Sequence, residues 1–154
     1  SVHSILKKRL NKIGLGKLTY LFIALNQLIN APKVDAEITF ADGTKIHAQN
    51  LIFFAAMVHK YEGGGFKFCP KADAFDGQLD FICAADKTLP GILTALPLAF
   101  FGLHHIFKGI DLYRFKAAEI KTSAPLWLHT DGEVSYKAQN IKFTQLNEKL
   151  NFIL

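Results

Sequence analysis

The sequence predicts a mainly β protein of the β-rich α+β class, an antiparallel β-sandwich with a few flanking helices. Many short apolar or alternating segments are separated by Gly, Pro, Asn and Asp, which is the spacing of sandwich strands. Only two segments have helical character. The length of 154 residues suits one domain, and no repeat or linker divides the chain, so residues 1–154 are expected to form a single domain.

The first elements are predicted from periodicity and turn chemistry. Apolar residues recur on one face of an amphipathic helix over 17–29, which ends at Asn30-Ala31-Pro32. Two strands follow, over 34–40 and 45–58, and Asp42-Gly43 between them is a strong hairpin signal. The second strand alternates at first and is then apolar throughout, as expected where a strand enters a covered interior.

Later elements are short and punctuated by turns. A short strand is predicted over 66–68 and another over 78–84, and a helix of about three turns begins with Pro90 in its first turn and ends near Gly102. Beyond Gly109 the pattern returns to strands, which are predicted over 111–122, 125–129, 133–136, 138–144 and 149–153.

One uncharged stretch, 88–107, is long enough to cross a bilayer. Its prolines, its glycines and the pair His104-His105 favour a buried or interface-facing helix instead. Cys69 and Cys83 lie in apolar surroundings and are expected to be buried, reduced thiols. No secretory signal pattern opens the chain, so we expect a cytoplasmic protein.

The net charge is +5, with a basic excess early in the chain, in Lys7, Lys8, Arg9, Lys12 and Lys17. Such a field favours anionic partners such as phosphate head groups, although a solvated helix face explains it equally well. No arginine-rich tract or zinc-ligand spacing accompanies it, so we expect no nucleic acid partner.

Three acidic or glycine-rich corners are candidates for a site. They are Gly63-Gly64-Gly65, the run with Asp73, Asp76 and Asp80, and Asp131-Gly132-Glu133. Taken singly, a flexible loop, an acidic surface loop and a hairpin turn explain them. A Walker loop and a twelve-residue calcium loop are excluded by their missing residues.

In order, these fragments resemble a known family. Asn50, the glycine triplet, Asp76-Gly77-x-Leu79-Asp80, Gly102-x-His104 and Asp131-Gly132-Glu133 look like the C-terminal half of bacterial diacylglycerol kinase-like lipid kinases. That superfamily includes sphingosine and ceramide kinases. The resemblance covers nearly the whole chain. The ATP-binding N-terminal half, with its Gly-Gly-Asp-Gly-Thr signature, is absent from these 154 residues.

The resemblance implies roles for individual residues. Glu133 would be the general base and Asp131 its partner. Asp76 would bind Mg²⁺ through its carboxylate, with main-chain oxygens of Asp73 and Gln78, although Phe75 stands where many relatives have another aspartate. Gly63, Gly64, Gly65 and His104 would form the substrate and interdomain loop, although from the residues alone His104 is better explained by capping and packing at a helix end.

The resemblance also implies partners. ATP would be a co-substrate held mainly by the missing domain, and the acceptor would be the hydroxyl of diacylglycerol or a related membrane lipid. We expect peripheral contact with an anionic membrane at the inner surface, and exposed sheet edges also allow a homodimer. This chain alone is expected to be inactive. The alternative is a non-catalytic β-sandwich that binds lipid or another ligand and has a regulatory role.

Overall fold

The computed structural model describes residues 26, 32–62, 65–130 and 133–146. Within them, the predicted mainly β class is confirmed. The elements are β1 Val34–Phe40, β2 Lys45–Met57, β3 Leu79–Ala85, helix α1 Leu89–Ala99, a 3₁₀ helix His104–Ile106, β4 Ile110–Phe115, β5 Ala117–Thr130 and β6 Glu133–Thr144. Apart from Asn26, the predicted helix over 17–29 lies outside the described residues, as does the predicted strand over 149–153.

The six strands form one antiparallel sheet in the order β4-β3-β2-β1-β5-β6. The β1–β2 hairpin turns at Asp42-Gly43 as predicted. Gly43 has a φ of +87°, and Asp42 Oδ1 accepts a 2.9 Å hydrogen bond from the amide of Thr44. A glycine therefore occupies the left-handed position that this tight turn requires.

The sheet curls over itself. Phe143 of β6 lies 5.7 Å from Phe54 of β2 and 6.2 Å from Phe81 of β3, measured between ring centroids. Two strands separate β6 from β2 in the sheet order and three separate it from β3, so a flat sheet would hold these rings far apart. The contacts make one face of the sheet concave and give the fold its sandwich-like core.

Alternate residues of β1, which the sequence pattern places on one face, line the concave core. Ala36, Ile38 and Phe40 of β1 are all buried within it. Every residue of β3 is buried, because Phe81 and its same-parity neighbours face the concave core while Ile82 and Ala84 face the opposite side.

Helix α1 covers that opposite side. Thr88 is its N-cap and accepts a 3.4 Å hydrogen bond from the amide of Gly91. The helix ends in a Schellman motif, in which the amide of Gly102 (φ +73°) donates to Ala99 O and that of Leu103 donates to Leu98 O. The predicted helix is confirmed. Among the described residues, no helix is long and apolar enough to span a bilayer.

Several predicted strand limits are wrong. Residues 66–68 form no strand; a single bridge joins Glu62 and Phe66, whose ring stacks on Phe100 at 4.3 Å. The predicted strand over 111–122 is divided at Lys116 between β4 and β5.

Two predicted breaks in the last hairpin are also absent. The segment 125–129 continues β5, and 133–136 and 138–144 together form β6. Pro125 does not interrupt β5 because the β5–β6 register shifts between Lys121 and Leu126, where the ladder is irregular and a missing amide is tolerated.

Both cysteines are free and buried, as predicted. Burial is the main cause that raises the pKa of each thiol, Cys69 and Cys83, to about 12. The neutral thiol therefore predominates at physiological pH, and both side chains serve as small apolar groups in the core.

We predict that Phe81→Ala lowers the free energy of unfolding by about 3–5 kcal/mol, because the fully buried ring would leave a cavity among Phe40, Phe54 and Phe143. Urea denaturation measures the change. Phe75→Ala is the matched control, since that ring is 97% exposed and its loss should change stability by no more than about 0.5 kcal/mol. Equal effects of the two substitutions would contradict the proposed core.

Candidate functional site

Several connections meet at one end of the sheet, which we call the upper end. Strand β2 finishes there at Met57, which pairs with Asp80 near the start of β3. Leu79 pairs with Phe115, so β4 also ends there. The described parts of the connection between β2 and β3, 58–62 and 65–78, therefore start and finish at the upper end.

The β5–β6 hairpin leads away from the upper end. Phe115, the last residue of β4, lies at the upper end, and β5 begins two residues later at Ala117. Strand β5 then runs for 14 residues to Thr130, which is about 40 Å of extended chain. The predicted metal loop is therefore at the upper end, whereas the predicted catalytic hairpin turns at the far end of β5.

The loop before β3 is held by two aspartate turns. Asp73 Oδ1 accepts a hydrogen bond from the amide of Phe75 at 3.0 Å, and Asp76 Oδ1 accepts one from the amide of Gln78 at 2.9 Å. Gly77, between Asp76 and Gln78, has a φ of +71°. These side chains satisfy backbone donors where no strand partner is available, which fixes the loop without regular structure.

Arg114 ties this loop to the sheet. Its Nη1 lies 3.4 Å from Asp76 Oδ2, and its Nη2 lies 3.2 Å from Asp80 Oδ1. The same Nη2 donates to the main-chain oxygen of Lys71. Arg114 and Asp80 are cross-strand partners on β4 and β3. The carboxylate of Asp80, a residue that is only 8% exposed, is compensated by this guanidinium.

The sequence analysis missed Arg114. In the sequence, Arg114 is only a polar residue within a predicted strand. No local pattern pairs it with Asp76 or Asp80, which lie more than thirty positions earlier. In the described part of the chain, Asp80 Oδ2 is buried without a hydrogen-bond partner. The upper end thus contains an ion network centred on one arginine.

A divalent cation has partial support here. No group of three or more His, Cys, Asp or Glu side chains is arranged for a metal among the described residues. Mg²⁺ keeps several waters, however, and needs few protein ligands. Asp76 has about four acceptor positions, of which Gln78 and Arg114 take two. The carboxylate of Asp76 with nearby main-chain oxygens is therefore chemically suited to one hydrated Mg²⁺.

Glu133 is exposed at the start of β6, opposite Thr130 across the hairpin turn. Asp131 and Gly132 lie outside the described residues, as do Gly63 and Gly64. Below the turn, Lys137 Nζ lies 5.2 Å from the ring centroid of its cross-strand partner Trp127. The outer half of the hairpin is largely exposed, so Glu133 projects from an arm of the sheet.

The predicted loop residues separate into two environments. Gly65, with a φ of +89°, is exposed in the connection that follows β2. His104 is 2% exposed, and its Nε2 lies 3.1 Å from Phe68 O. Burial is the main cause that lowers the pKa of this imidazole, and Phe68 O partly opposes the change. In this structure His104 packs beneath α1 and does not face an open surface.

His104 also lines a small apolar cavity of about 40 Å³ between α1 and the sheet. Phe53, Ile82 and Leu96 are among the other lining residues, and Lys87 lies at its edge. Sites for lipid-sized or drug-sized ligands are about 300–1,000 Å³. The cavity is therefore large enough for water and too small for an acyl chain.

The family of the chain follows from comparison with known sequences. The sequence model of the YegS C-terminal NAD kinase beta sandwich-like domain matches residues 2–144. The chain belongs to this family. A comparison with curated protein sequences found no match. The curled sheet with Phe143 across from Phe54 and Phe81 is the sandwich-like core of this YegS-type domain.

Solved structures show the same fold. A putative diacylglycerol kinase from Bacillus anthracis str. Sterne is similar over 92% of the chain, with 23% identity and a TM-score of 0.64. Another structure under that name has 23% identity over 77% of the chain and a TM-score of 0.60. A diacylglycerol kinase from the same strain has 16% identity, 79% coverage and a TM-score of 0.54.

This YegS-type domain spans less than half the length of those structures, 40–44% of each. The resemblance stated from the sequence is therefore confirmed for the family and the fold. The roles predicted for Glu133, Asp131, Asp73, Asp76 and Gln78 stay predictions. The structure adds that Asp76 lies in the loop at the upper end, whereas Glu133 follows the far end of β5.

We predict that Arg114→Gln lowers the free energy of unfolding by about 2–3 kcal/mol, because it leaves the buried Asp80 carboxylate without its cation. The guanidinium is itself partly exposed, which limits the effect. Denaturant unfolding gives the value. Lys45→Gln, which breaks an exposed pair with Glu37, is the matched control and should cost less than about 1 kcal/mol. A cost no larger than the control's would show that the Arg114 network is not stabilising.

Proposed function

We propose that this chain is the lipid-side domain of an ATP-dependent lipid kinase, which phosphorylates the hydroxyl of diacylglycerol or a related membrane lipid. Membership of the YegS C-terminal family and a fold shared with proteins named as diacylglycerol kinases support the proposal. The observation that carries it is the match of the YegS C-terminal family model to residues 2–144.

The missing half of the reaction would come from a second domain. The sequence contains no Gly-Gly-Asp-Gly-Thr signature and no Walker loop, and the chain covers less than half of the similar structures. We propose that an N-terminal nucleotide-binding domain holds ATP and presents it to the hairpin with Glu133. The isolated chain would then have negligible phosphotransferase activity.

Glu133 would act as the general base. In a loose phosphoryl-transfer transition state the attacking hydroxyl loses its proton late, so a carboxylate in hydrogen-bond reach suffices despite its low basicity. The exposed position of Glu133 on the hairpin leaves it accessible to a lipid hydroxyl and to an opposing domain. Asp131, two residues before Glu133 in the sequence, would orient the hydroxyl or Glu133.

Asp76 would bind Mg²⁺, with main-chain oxygens of Asp73 and Gln78 completing the protein ligands. When bound, the ion would supply positive charge that orders the loop at the junction of the two domains. The aspartate turns already hold this loop in a fixed shape, so the protein presents its oxygens with little rearrangement. Arg114 neutralises part of the acidic charge, which would keep the affinity for Mg²⁺ modest.

We place the full protein in the cytoplasm, in peripheral contact with the inner membrane surface, where its lipid substrate lies. The early basic residues Lys7, Lys8, Arg9, Lys12 and Lys17 would attract anionic head groups. A lipid-array phosphorylation assay on the intact gene product would identify the acceptor.

We predict that Glu133→Gln in the full-length protein lowers lipid phosphorylation by at least about a hundredfold, because the amide keeps the shape but accepts no proton. Initial rates with radiolabelled ATP and lipid micelles measure it. Glu119→Gln is the matched control, since Glu119 lies on β5 and pairs with Lys121 on the surface. Near-normal turnover of Glu133→Gln would exclude Glu133 as the base.

We predict that Mg²⁺ raises the melting temperature of the parent chain and that Asp76→Ala abolishes this response, because the variant lacks the only side-chain ligand assigned to the ion. Differential scanning fluorimetry across a Mg²⁺ titration gives the shift. Asp42→Ala is the matched control, since Asp42 Oδ1 also accepts a backbone amide two residues ahead but carries no metal assignment. An unchanged melting temperature of the parent would contradict the site.

The alternative is a non-catalytic β-sandwich that binds a lipid or another ligand. The gene discriminates the two, because an upstream Gly-Gly-Asp-Gly-Thr segment favours the kinase and an upstream DNA-binding or sensor domain favours the module. Among the described residues, the cavity beneath α1 is too small to support a lipid-binding module in its present shape.

A further inference from the structure

The chain exposes three large apolar side chains immediately after α1. Phe101 is 71% exposed, Leu103 is 47% exposed and Ile106 is 66% exposed. We call these three residues the apolar patch. Single exposed apolar residues are ordinary on protein surfaces, but three within six positions form a local concentration that the fold does not cover.

The backbone geometry directs the side chains of the patch toward solvent. Gly102, with its positive φ, ends α1 in the Schellman motif and reverses the chain. The following 3₁₀ helix has three residues per turn, so Leu103 at its start and Ile106 at its end lie on one side. His104 between them is buried beneath α1. Burying His104 therefore leaves Leu103 and Ile106 directed toward solvent.

An aromatic ring and a lysine adjoin the patch. The amide of Lys67 donates to Ala99 O at 2.8 Å, and the Lys67 side chain lies next to Gly102. Lys67 Nζ also lies 6.0 Å from the ring centroid of Tyr61, which is largely exposed. Tyrosine and lysine beside exposed aliphatic groups are the composition of protein surfaces that sit at a bilayer interface.

The charge of the surrounding segments is one-sided. Residues 60–71 and 87–110, which bear the patch and its neighbours, include the basic residues Lys60, Lys67, Lys71, Lys87 and Lys108 and one acid, Glu62; Asp86 and Asp111 border the second range, and the basic residues still outnumber the acids. Lysines near an anionic bilayer each contribute a favourable interaction that salt weakens, while apolar side chains enter the acyl boundary. Positive charge around an apolar centre complements an anionic membrane surface.

We propose that the apolar patch of Phe101, Leu103 and Ile106 inserts into the interface of an anionic membrane, with Lys67 and Lys108 beside it contacting the head groups. The inference rests on this surface and requires neither ATP nor phosphoryl transfer. It is also separate from the early basic residues, because it assigns insertion to the end of α1.

A fluorescent probe in the patch tests insertion. The only tryptophan is Trp127, on the β5–β6 hairpin. In a Trp127→Phe background, Leu103→Trp of the full 154-residue chain should shift its emission to the blue when vesicles of phosphatidylcholine with about one third phosphatidylglycerol are added. Pure phosphatidylcholine vesicles should give a much smaller shift. No blue shift with anionic vesicles would overturn the proposal.

Vesicle sedimentation tests the contribution of the patch to binding. The double variant Phe101→Ser and Ile106→Ser should weaken partition to anionic vesicles by at least about tenfold, since both side chains are exposed and their loss should not unfold the protein. Trp127→Ser, at another exposed ring, is the matched control and should bind as the parent does. Equal binding of the double variant and the parent would assign any binding to another surface and overturn the proposal.

Two further outcomes would assign the patch to a protein partner and overturn membrane insertion. One is blue-shifted emission of Leu103→Trp in the full-length protein before vesicles are added, with no further shift on their addition, which would place another domain over the patch. The other is a dimer by light scattering that the double variant dissociates. The patch variants are read by vesicle binding and the Glu133 variant by phosphoryl transfer, so a failure of the patch leaves the kinase proposal standing.

Discussion

The aromatic contacts that close the sheet on itself determine the rest of the structure. Phe143 on β6 meets Phe54 and Phe81 on strands that are not its neighbours, and Phe40 joins the same group by stacking on Phe115 at 4.1 Å. Aromatic side chains bury the largest areas in a core, and their offset and edge contacts add to that burial. The closure fixes where β5 and β6 leave the sheet, and so positions the hairpin with Glu133.

The upper end of the sheet combines exposed acids with one buried acid. Asp80 pairs with Arg114 within the sheet. Asp76, in the loop before β3, contacts both the guanidinium of Arg114 and the amide of Gln78. A buried ion pair is weak evidence for stability, but the loss of one member leaves an uncompensated charge. The network therefore links the shape of the candidate metal loop to β3 and β4, the strands that the closure of the sheet holds in place.

The sequence predicted local structure well where one residue type determines the backbone. Asp42-Gly43 located the first hairpin, and Pro90 and Gly102 bounded α1, because each restricts φ in a known way. It failed where tertiary pairing determines the outcome. Phe66 has strand propensity but packs its ring on Phe100, and a register shift lets β5 continue through Pro125.

The candidate site was predictable in its residues but not in its environment. The resemblance named Asp76 and Glu133, but only the structure shows that the 14 residues of β5 lead from the upper end to the hairpin with Glu133. Arg114 could not be found from sequence, because a cross-strand partner is a long-range contact without a local signature. The resemblance assigned His104 to a substrate loop and the local pattern favoured packing at a helix end, and in the structure His104 is buried beside α1 and Phe68.

The small cavity beneath α1 leaves the side chains that line it without packing partners on one side. Close-packed interiors transmit strain, whereas side chains around a gap have room to shift at small cost. Pro97 inside α1 also has no amide hydrogen, so it cannot donate the hydrogen bond that would join the last turn of the helix to the turn before it. The concave face is filled by interlocking rings and should deform little. We therefore expect α1 to shift more readily than the sheet changes its curvature. Under pressure, the layer between α1 and the sheet should be compressed first.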